Sequence, residues 1–280
     1  MNRRVLEALI KSGSFDLLGK HRAMLIASLN NALQQAEQSS QNMVSGQHDL
    51  LGMMPATNTP QYVDVKRWKD EEQLQGEKET LGFYLTGHPL NRYLNELAHF
   101  TTCRIAELNP AEHKNARIAG IITNIRVRQT KRGDRIGIFT LDDGTSSIDG
   151  VCFSEPFQKF RHLLVEDQLV IVDGEVSMDE FSNSPRIVAR DLMTIDQARG
   201  KFAKGLQISL PGLSTVNPAQ LQQLLSSHRG GNCPVVLQHK EGDVQTNIKL
   251  GKNWLLQPTE ALITLLRQQL ADAEIEFLYS

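Results

Sequence analysis

The sequence predicts a multidomain chain that is helical at its start, β in its middle and mixed α+β at its end. Apolar residues recur at helical spacing in segments between Arg3 and His99, interrupted by a polar stretch at 39–66, and from Ala116 the period changes to two. Turn signals then cut the period-two stretch into five segments, with one helical segment between the third and fourth. Size agrees with this division, because 280 residues allow two or three small domains. Composition is that of an ordinary globular protein, with 40% hydrophobic and 22% charged residues. No apolar run approaches the ~18 residues needed to span a bilayer, and the N-terminus carries no signal-peptide core. Cys103, Cys152 and Cys233 are odd in number and never form a CxxC pair, which implies a reduced, cytoplasmic protein without a disulfide framework. The formal net charge of -2 means that any nucleic-acid binding must come from a local basic patch.

Taken in order, Arg3 to Ser12 places Val5, Leu6, Leu9 and Ile10 on one helical stripe, and Gly13 ends it as a C-cap. His21 to Gln38 repeats the pattern with Met24, Leu25, Leu29 and Leu33. Two such helices bury little apolar area alone, so a longer chain upstream of Met1 is expected. Residues 39–66 are rich in Ser, Gln, Asn, Thr and Pro and read as a linker. Helix returns over Asp70 to Phe83 and again at Asn91 to His99, broken between them at Gly87-His88-Pro89, because proline disfavours helical geometry in the residue before it. Strands are predicted at 117–128, 134–142, 147–153, 168–177 and 186–196, with a helix at 156–164, separated by KRGD (131–134), DDGT (142–145) and NSP (183–185). That is the order of an OB-fold, a five-stranded barrel that often holds single-stranded nucleic acid. A charged helix at 196–204 leads to a small α+β unit. Its helices are Pro218 to Ser227 and Glu260 to Leu270, and Cys233 to Gln238, Val244 to Leu250 and Ile275 to Leu278 are extended. The resulting domains are 1–38, 39–66, 67–115, 116–196 and 197–280.

Three stretches carry a resemblance. TLGFYLTGHPLNRYL (80–94), TKRGDRIGIFTLDD (130–143) and NRRVLEALIKSGSFDLLGKHR (2–22) closely resemble the bacterial DNA polymerase III alpha subunit family, and the likeness follows the family's order along the whole chain. The resemblance implies a C-terminal quarter: the end of a helix-hairpin-helix region, a clamp-binding linker, an OB domain and a tail domain that meets the clamp-loader tau subunit. The family is a DNA-directed DNA polymerase, a nucleotidyltransferase. Its phosphoesterase-like domain and its palm with the catalytic aspartates have no counterpart in this sequence. The chain is therefore expected to be inactive alone and to need no cofactor, magnesium belonging to the missing catalytic domain. A free-standing OB-fold protein that binds single-stranded nucleic acid is the alternative.

The strongest signal from the residues themselves is the loop between the first two strands. Arg126, Arg128, Lys131, Arg132 and Arg135 against Asp134 give a local charge of +4 within ten residues. Side chains so spaced can each neutralise a phosphate and release counterions. Bases stack on aromatic platforms, and Phe139 and Phe153 fall on the second and third strands. Alternation leaves open whether they face a ligand or fill the barrel. In the first helical pair, backbone N–H groups of Ser12, Gly13 and Ser14 are candidates to hold a duplex phosphate, with charge from Lys11, Lys20 and Arg22. In the linker, Gln47, Asp49, Leu50 and Leu51 form a peptide suited to a hydrophobic pocket. It resembles the family's clamp-binding motif, with Leu51 where Phe is common. At the chain end the resemblance points to tau contact, with Ile275 and Phe277 on one strand face. Packing of that strand on its own domain is the competing expectation. Asp142, Asp143 and Asp149 are the one acid cluster that could mimic a two-metal site, but Asp-Asp-Gly is also what a hairpin turn requires, with Gly144 at positive φ. His88, His99, His113 and His162 have no ligand spacing and are expected to cap or pack. Neither a catalytic nor a metal site is assigned.

Overall fold

The computed structural model describes residues 2–44, 61–130, 133–179, 183–210, 217–241, 244–270 and 273–279. The chain divides into two compact units, residues 1–91 and 92–280.

The first unit holds helices α1 (Arg3–Lys11), α2 (Arg22–Val44) and α3 (Asp70–Leu81). Asn2 caps α1 by accepting from the Arg4 amide. Helix α2 continues past its expected end at Gln38 because no glycine or proline interrupts the chain before Gly46. A buried arginine organises the unit. Arg22 Nη1 donates to Glu77 Oε1 (2.8 Å) and to the Lys11 carbonyl (3.1 Å), and its Nη2 donates to Asp16 Oδ2 (2.7 Å). Glu77 also accepts from the amides of Leu85 (2.7 Å) and Thr86 (2.9 Å). Burial pushes the Glu77 carboxyl up, but these donors outweigh it and hold it below the ordinary carboxylate range. The loop after α3 is thus pinned by a charge that the helix itself supplies.

In the second unit, a short helix α4 (Leu94–Leu97) precedes strands β1 (Asn115–Gln129), β2 (Arg135–Asp142) and β3 (Ser147–Cys152). Helix α5 (Ser154–Phe160) and strands β4 (Leu169–Met178) and β5 (Pro185–Met193) follow. The strands close in the order β1-β2-β3-β5-β4, the predicted OB barrel with its helix between the third and fourth strands. Ile118, Ile122, Phe139, Leu141, Val170, Val172 and Ile187 fill it. Phe157 and Phe160 of α5 join the same core. Two glycines are required by this filling. A Cβ on Gly150 would lie 2.3 Å from the Phe139 ring, and one on Gly137 would lie 2.8 Å from Phe157.

Beyond the barrel come helix α6 (Ile195–Phe202), strand β6 (Gly205–Leu210) and helix α7 (Pro218–Ser226). Strands β7 (Arg229–Cys233), β8 (Val235–Glu241) and β9 (Val244–Lys249), helix α8 (Glu260–Gln269) and strand β10 (Glu274–Leu278) complete the chain. The sheet order is β10-β6-β8-β9, with α7 and α8 supplying Leu221, Leu225, Leu262, Ile263 and Leu266 to its core. Strand β6, absent from the expected elements, is central to this sheet. Its short LQISL pattern follows a helix directly and is too brief to stand out.

A second buried arginine joins this sheet to the barrel's connector. Arg199 on α6 donates to Glu96 of α4 (Nε–Oε1 2.7 Å), Glu260 of α8 (2.7 Å) and Asp196 (3.2 Å). The Tyr279 hydroxyl donates to Glu96, and the Phe277 ring lies 5.2 Å from the guanidinium. Burial, followed by the hydrogen bond to Glu96, raises the Tyr279 pKa.

This geometry corrects the tail expectation. Ile275 pairs with Ile208 and is buried in its own sheet, and Phe277 packs against the same core, half-buried. The competing expectation, docking on its own domain, describes the strand, so Ile275 offers no free contact surface.

Candidate nucleic-acid interface

The barrel interior is full, so a polymer can meet this domain only on its outside. Strand β1 makes that outside surface large. At 15 residues it pairs with β4 over Asn115–Ile121 and with β2 over Ile121–Gln129, with a register shift between Ile122 and Asn124. The shift lets one strand serve both partners and carries its second half out as an arm with β2. Along that arm Arg126 lies opposite Ile138 and Arg128 opposite Ile136, whereas Ile125 lies opposite the buried Phe139. Strand alternation therefore puts Arg126 and Arg128 on the outer face. Arg135, opposite Gln129, lies on the other side of the arm. The sequence had treated these cations as one patch, and the register divides them.

Arg126, Arg128 and Arg135 are exposed, and none has a hydrogen-bond or ion-pair partner among the described residues. Other cations of the barrel are engaged: Arg186 with Asp179 (2.8 Å), Arg190 with Glu175 (2.7 Å) and Arg117 with Asp173 (2.9 Å). Lys131 and Arg132 lie outside the described residues, as do Gln47, Asp49, Leu50 and Leu51 of the linker.

The two phenylalanines part company. Phe139 is 1% exposed and belongs to the core, which corrects its candidacy as a stacking platform. Inward pleating decides this, since its neighbours Gly137 and Leu141 point the same way and are buried. Phe153 is 50% exposed at the N-cap of α5, one residue beyond β3, and remains available.

The predicted phosphate cradle at Ser12–Ser14 is also corrected. These residues close the C-terminus of α1, and their amides already donate to the carbonyls of Ala8 (2.9 Å), Ile10 (3.1 Å) and Leu9 (3.0 Å). Gly13 sits at φ +83°, and a Cβ there would lie 2.2 Å from the Arg22 guanidinium. Arg22 is buried against Glu77 and Lys11 pairs with Glu79 (2.8 Å), so neither is a free charge. The C-cap glycine was the sequence signal that should have ruled the cradle out, because C-cap amides point back along their helix.

The acid cluster resolves into turn chemistry. Asp143 accepts from Arg104 Nε (2.8 Å) and from the amides of Ile105 (3.0 Å), Thr145 (2.9 Å) and Ser146 (3.1 Å). Burial raises its pKa, but Arg104 and Thr145 overcome this and hold it at about 2. Asp142 accepts from the Gly144 amide (2.7 Å) with Gly144 at φ +79°, and Asp149 accepts from Thr140 (2.9 Å). Among the histidines, His99 stacks on Tyr279 at 4.8 Å and His113 accepts from the Asn109 amide (3.1 Å). Sequence reasoning missed the Arg104–Asp143 and Arg199–Glu96 links, whose partners are too far apart in the chain for any local pattern.

A closed five-stranded barrel of this strand order, with a helix between its third and fourth strands, defines the OB-fold class. Comparison with known families agrees: residues 116–195 match an OB-fold nucleic acid binding domain, and residues 220–270 match the C-terminal domain of DNA polymerase III subunit alpha. DNA polymerase III subunit alpha of Escherichia coli O157:H7 is 40% identical over 99% of this chain and 24% of its own length. The subunit of Vibrio cholerae is 36% identical over 99% and 24%. That of Pseudomonas aeruginosa is 38% identical over 96% and 25%. The chain is a relative of the DNA polymerase III alpha subunit and corresponds to its C-terminal portion, spanning about a quarter of the length of the relatives it matches. Among solved structures, the SSB domain of a Synechococcus protein overlaps 28% of this chain and 92% of its own at 7% identity. The TM-score of that overlap is 0.26. Among the described residues no helix is long and apolar enough to cross a membrane.

Proposed function

We propose that this chain is a DNA-binding and partner-docking portion of a replicative polymerase, and that the β1–β2 arm of its barrel grips single-stranded DNA. The observation that supports this best is the pair Arg126 and Arg128, exposed on the outer arm face and without acid partners among the described residues, on a barrel whose interior is full. Each arginine neutralises a phosphate, Lys131 and Arg132 extend the charge along the loop, and Phe153 offers a base a flat surface. The test is the salt dependence of single-stranded DNA binding. Arg126→Ala with Arg128→Ala should flatten the slope of log K against log salt by roughly one to two units. An unchanged slope removes the arm from the DNA surface.

Two docking roles accompany this reading. The linker peptide with Gln47, Asp49, Leu50 and Leu51 binds a sliding clamp, and a peptide of residues 45–54 should lose that binding in the Leu50→Ala, Leu51→Ala variant. The unit from residue 205 onward binds the clamp-loader tau subunit through surface other than Ile275. Because the catalytic palm has no counterpart here, the pure chain should extend no primed template with magnesium and all four dNTPs. Robust extension would overturn the non-catalytic assignment.

A further inference from the structure

The C-terminal sheet carries a second cationic and aromatic feature. The guanidinium of Arg229, at the start of β7, lies over the ring of Trp254, 3.5 Å from its centroid. Hydrogen bonds hold the two segments together: the Gly230 amide donates to the Leu255 carbonyl (3.1 Å) and the Gln257 amide to the His228 carbonyl (2.8 Å). Trp254 ends a short 3-10 turn, Lys252–Trp254, and packs against the core of its domain. Arg229 is exposed. Lys252 in the same turn and Lys249 at the end of β9 are exposed as well. Apart from the ring, none of these three cations has a partner among the described residues. Gly230 at φ +89° and Gly251 have nothing within 4 Å of where a Cβ would stand, so the backbone beside the stack is open.

A guanidinium in an ion pair spends its edge on a carboxylate. Here the guanidinium lies against the tryptophan ring on an exposed residue, and Lys249 and Lys252 precede Trp254 in the chain by five and two residues. A flat cation with a free face is a surface for a second flat ring, as in the stacking of unpaired bases on arginine planes. We propose that Arg229 on Trp254 is a second contact for single-stranded nucleic acid: one unpaired base stacks on the outer face of Arg229, and Lys249 and Lys252 meet neighbouring phosphates. This extends the reading of the barrel and rests on it. An acidic peptide would use only the guanidinium edge and would have no need of the plane.

The test uses the full chain with Trp68→Phe, which leaves Trp254 as the one tryptophan of the two in the sequence. A thymine oligonucleotide should quench Trp254 emission, an abasic oligonucleotide of equal length should bind about tenfold more weakly, and a poly-glutamate peptide should not quench. Arg229→Lys, which keeps the charge and loses the plane, should lose most of the quenching and the preference for thymine over abasic. Lys249→Ala with Lys252→Ala, both surface changes, should weaken binding and flatten its salt dependence. Quenching should persist when Arg126 and Arg128 are both alanine. Oligonucleotide binding with unchanged Trp254 emission overturns the proposal and leaves the barrel reading intact. So do equal behaviour of Arg229→Lys and the parent, and equal quenching by poly-glutamate. No binding of any oligonucleotide by the parent chain overturns both readings.

Discussion

The β1–β2 arm and the α6 junction use the same residue type in opposite ways. On the arm, Arg126 and Arg128 are exposed and have no acid partner among the described residues. At the junction, Arg199 is 3% exposed and holds Glu96, Asp196 and Glu260 at once. A guanidinium removed from water must be fully paired, because an uncompensated buried charge is far more costly than an exposed one. An exposed guanidinium keeps its water and adds little to stability, so its charge is free for a ligand. The junction is therefore built to hold α4, α6 and α8 together, and the arm to bind.

The largest effect should come from breaking the junction. Arg199→Ala strands Glu96 and Glu260 beside each other and should cost about 3–5 kcal/mol in denaturant unfolding. Arg199→Met with Glu96→Gln removes both charges and should recover part of that loss. A loss below about 1 kcal/mol for Arg199→Ala would show that the junction is not a structural centre. Within the barrel, Phe139→Ala should cost a similar 3–5 kcal/mol, while Phe153→Ala, half exposed, should cost far less and act on DNA affinity instead.

A smaller effect belongs to the turn after β2 and is read by pH. The folded-state pKa of Asp143 is depressed to about 2 from an ordinary 3.8, so its stabilisation is present above pH 4 and is lost as pH falls towards 2. That window should hold about 2 kcal/mol of unfolding free energy, and Asp143→Asn should remove it from the pH profile while destabilising the protein at neutral pH. The smallest effect belongs to the arm. Arg126→Ala with Arg128→Ala should leave the melting curve within about 0.5 kcal/mol of the parent while changing the salt slope of DNA binding. A large loss of stability would place the arm with the junction and undo the comparison.

Much of the architecture was determined by the sequence alone. The period-two runs, the KRGD, DDGT and NSP turns and the helix between the third and fourth strands carried the barrel, because strand alternation and turn residues are local properties. The Asp-Asp-Gly turn and its positive-φ glycine were legible for the same reason. Tertiary structure alone decided which phenylalanine is core and which is surface, since both stood in plausible strands and only the closure of the barrel set their direction. It buried Ile275 against its own sheet's core and placed Glu96 against Arg199 across 103 residues of sequence. It also laid Arg229 on Trp254. A buried ion pair and a ring stack are set by where distant segments meet, and no spacing along the chain encodes that meeting.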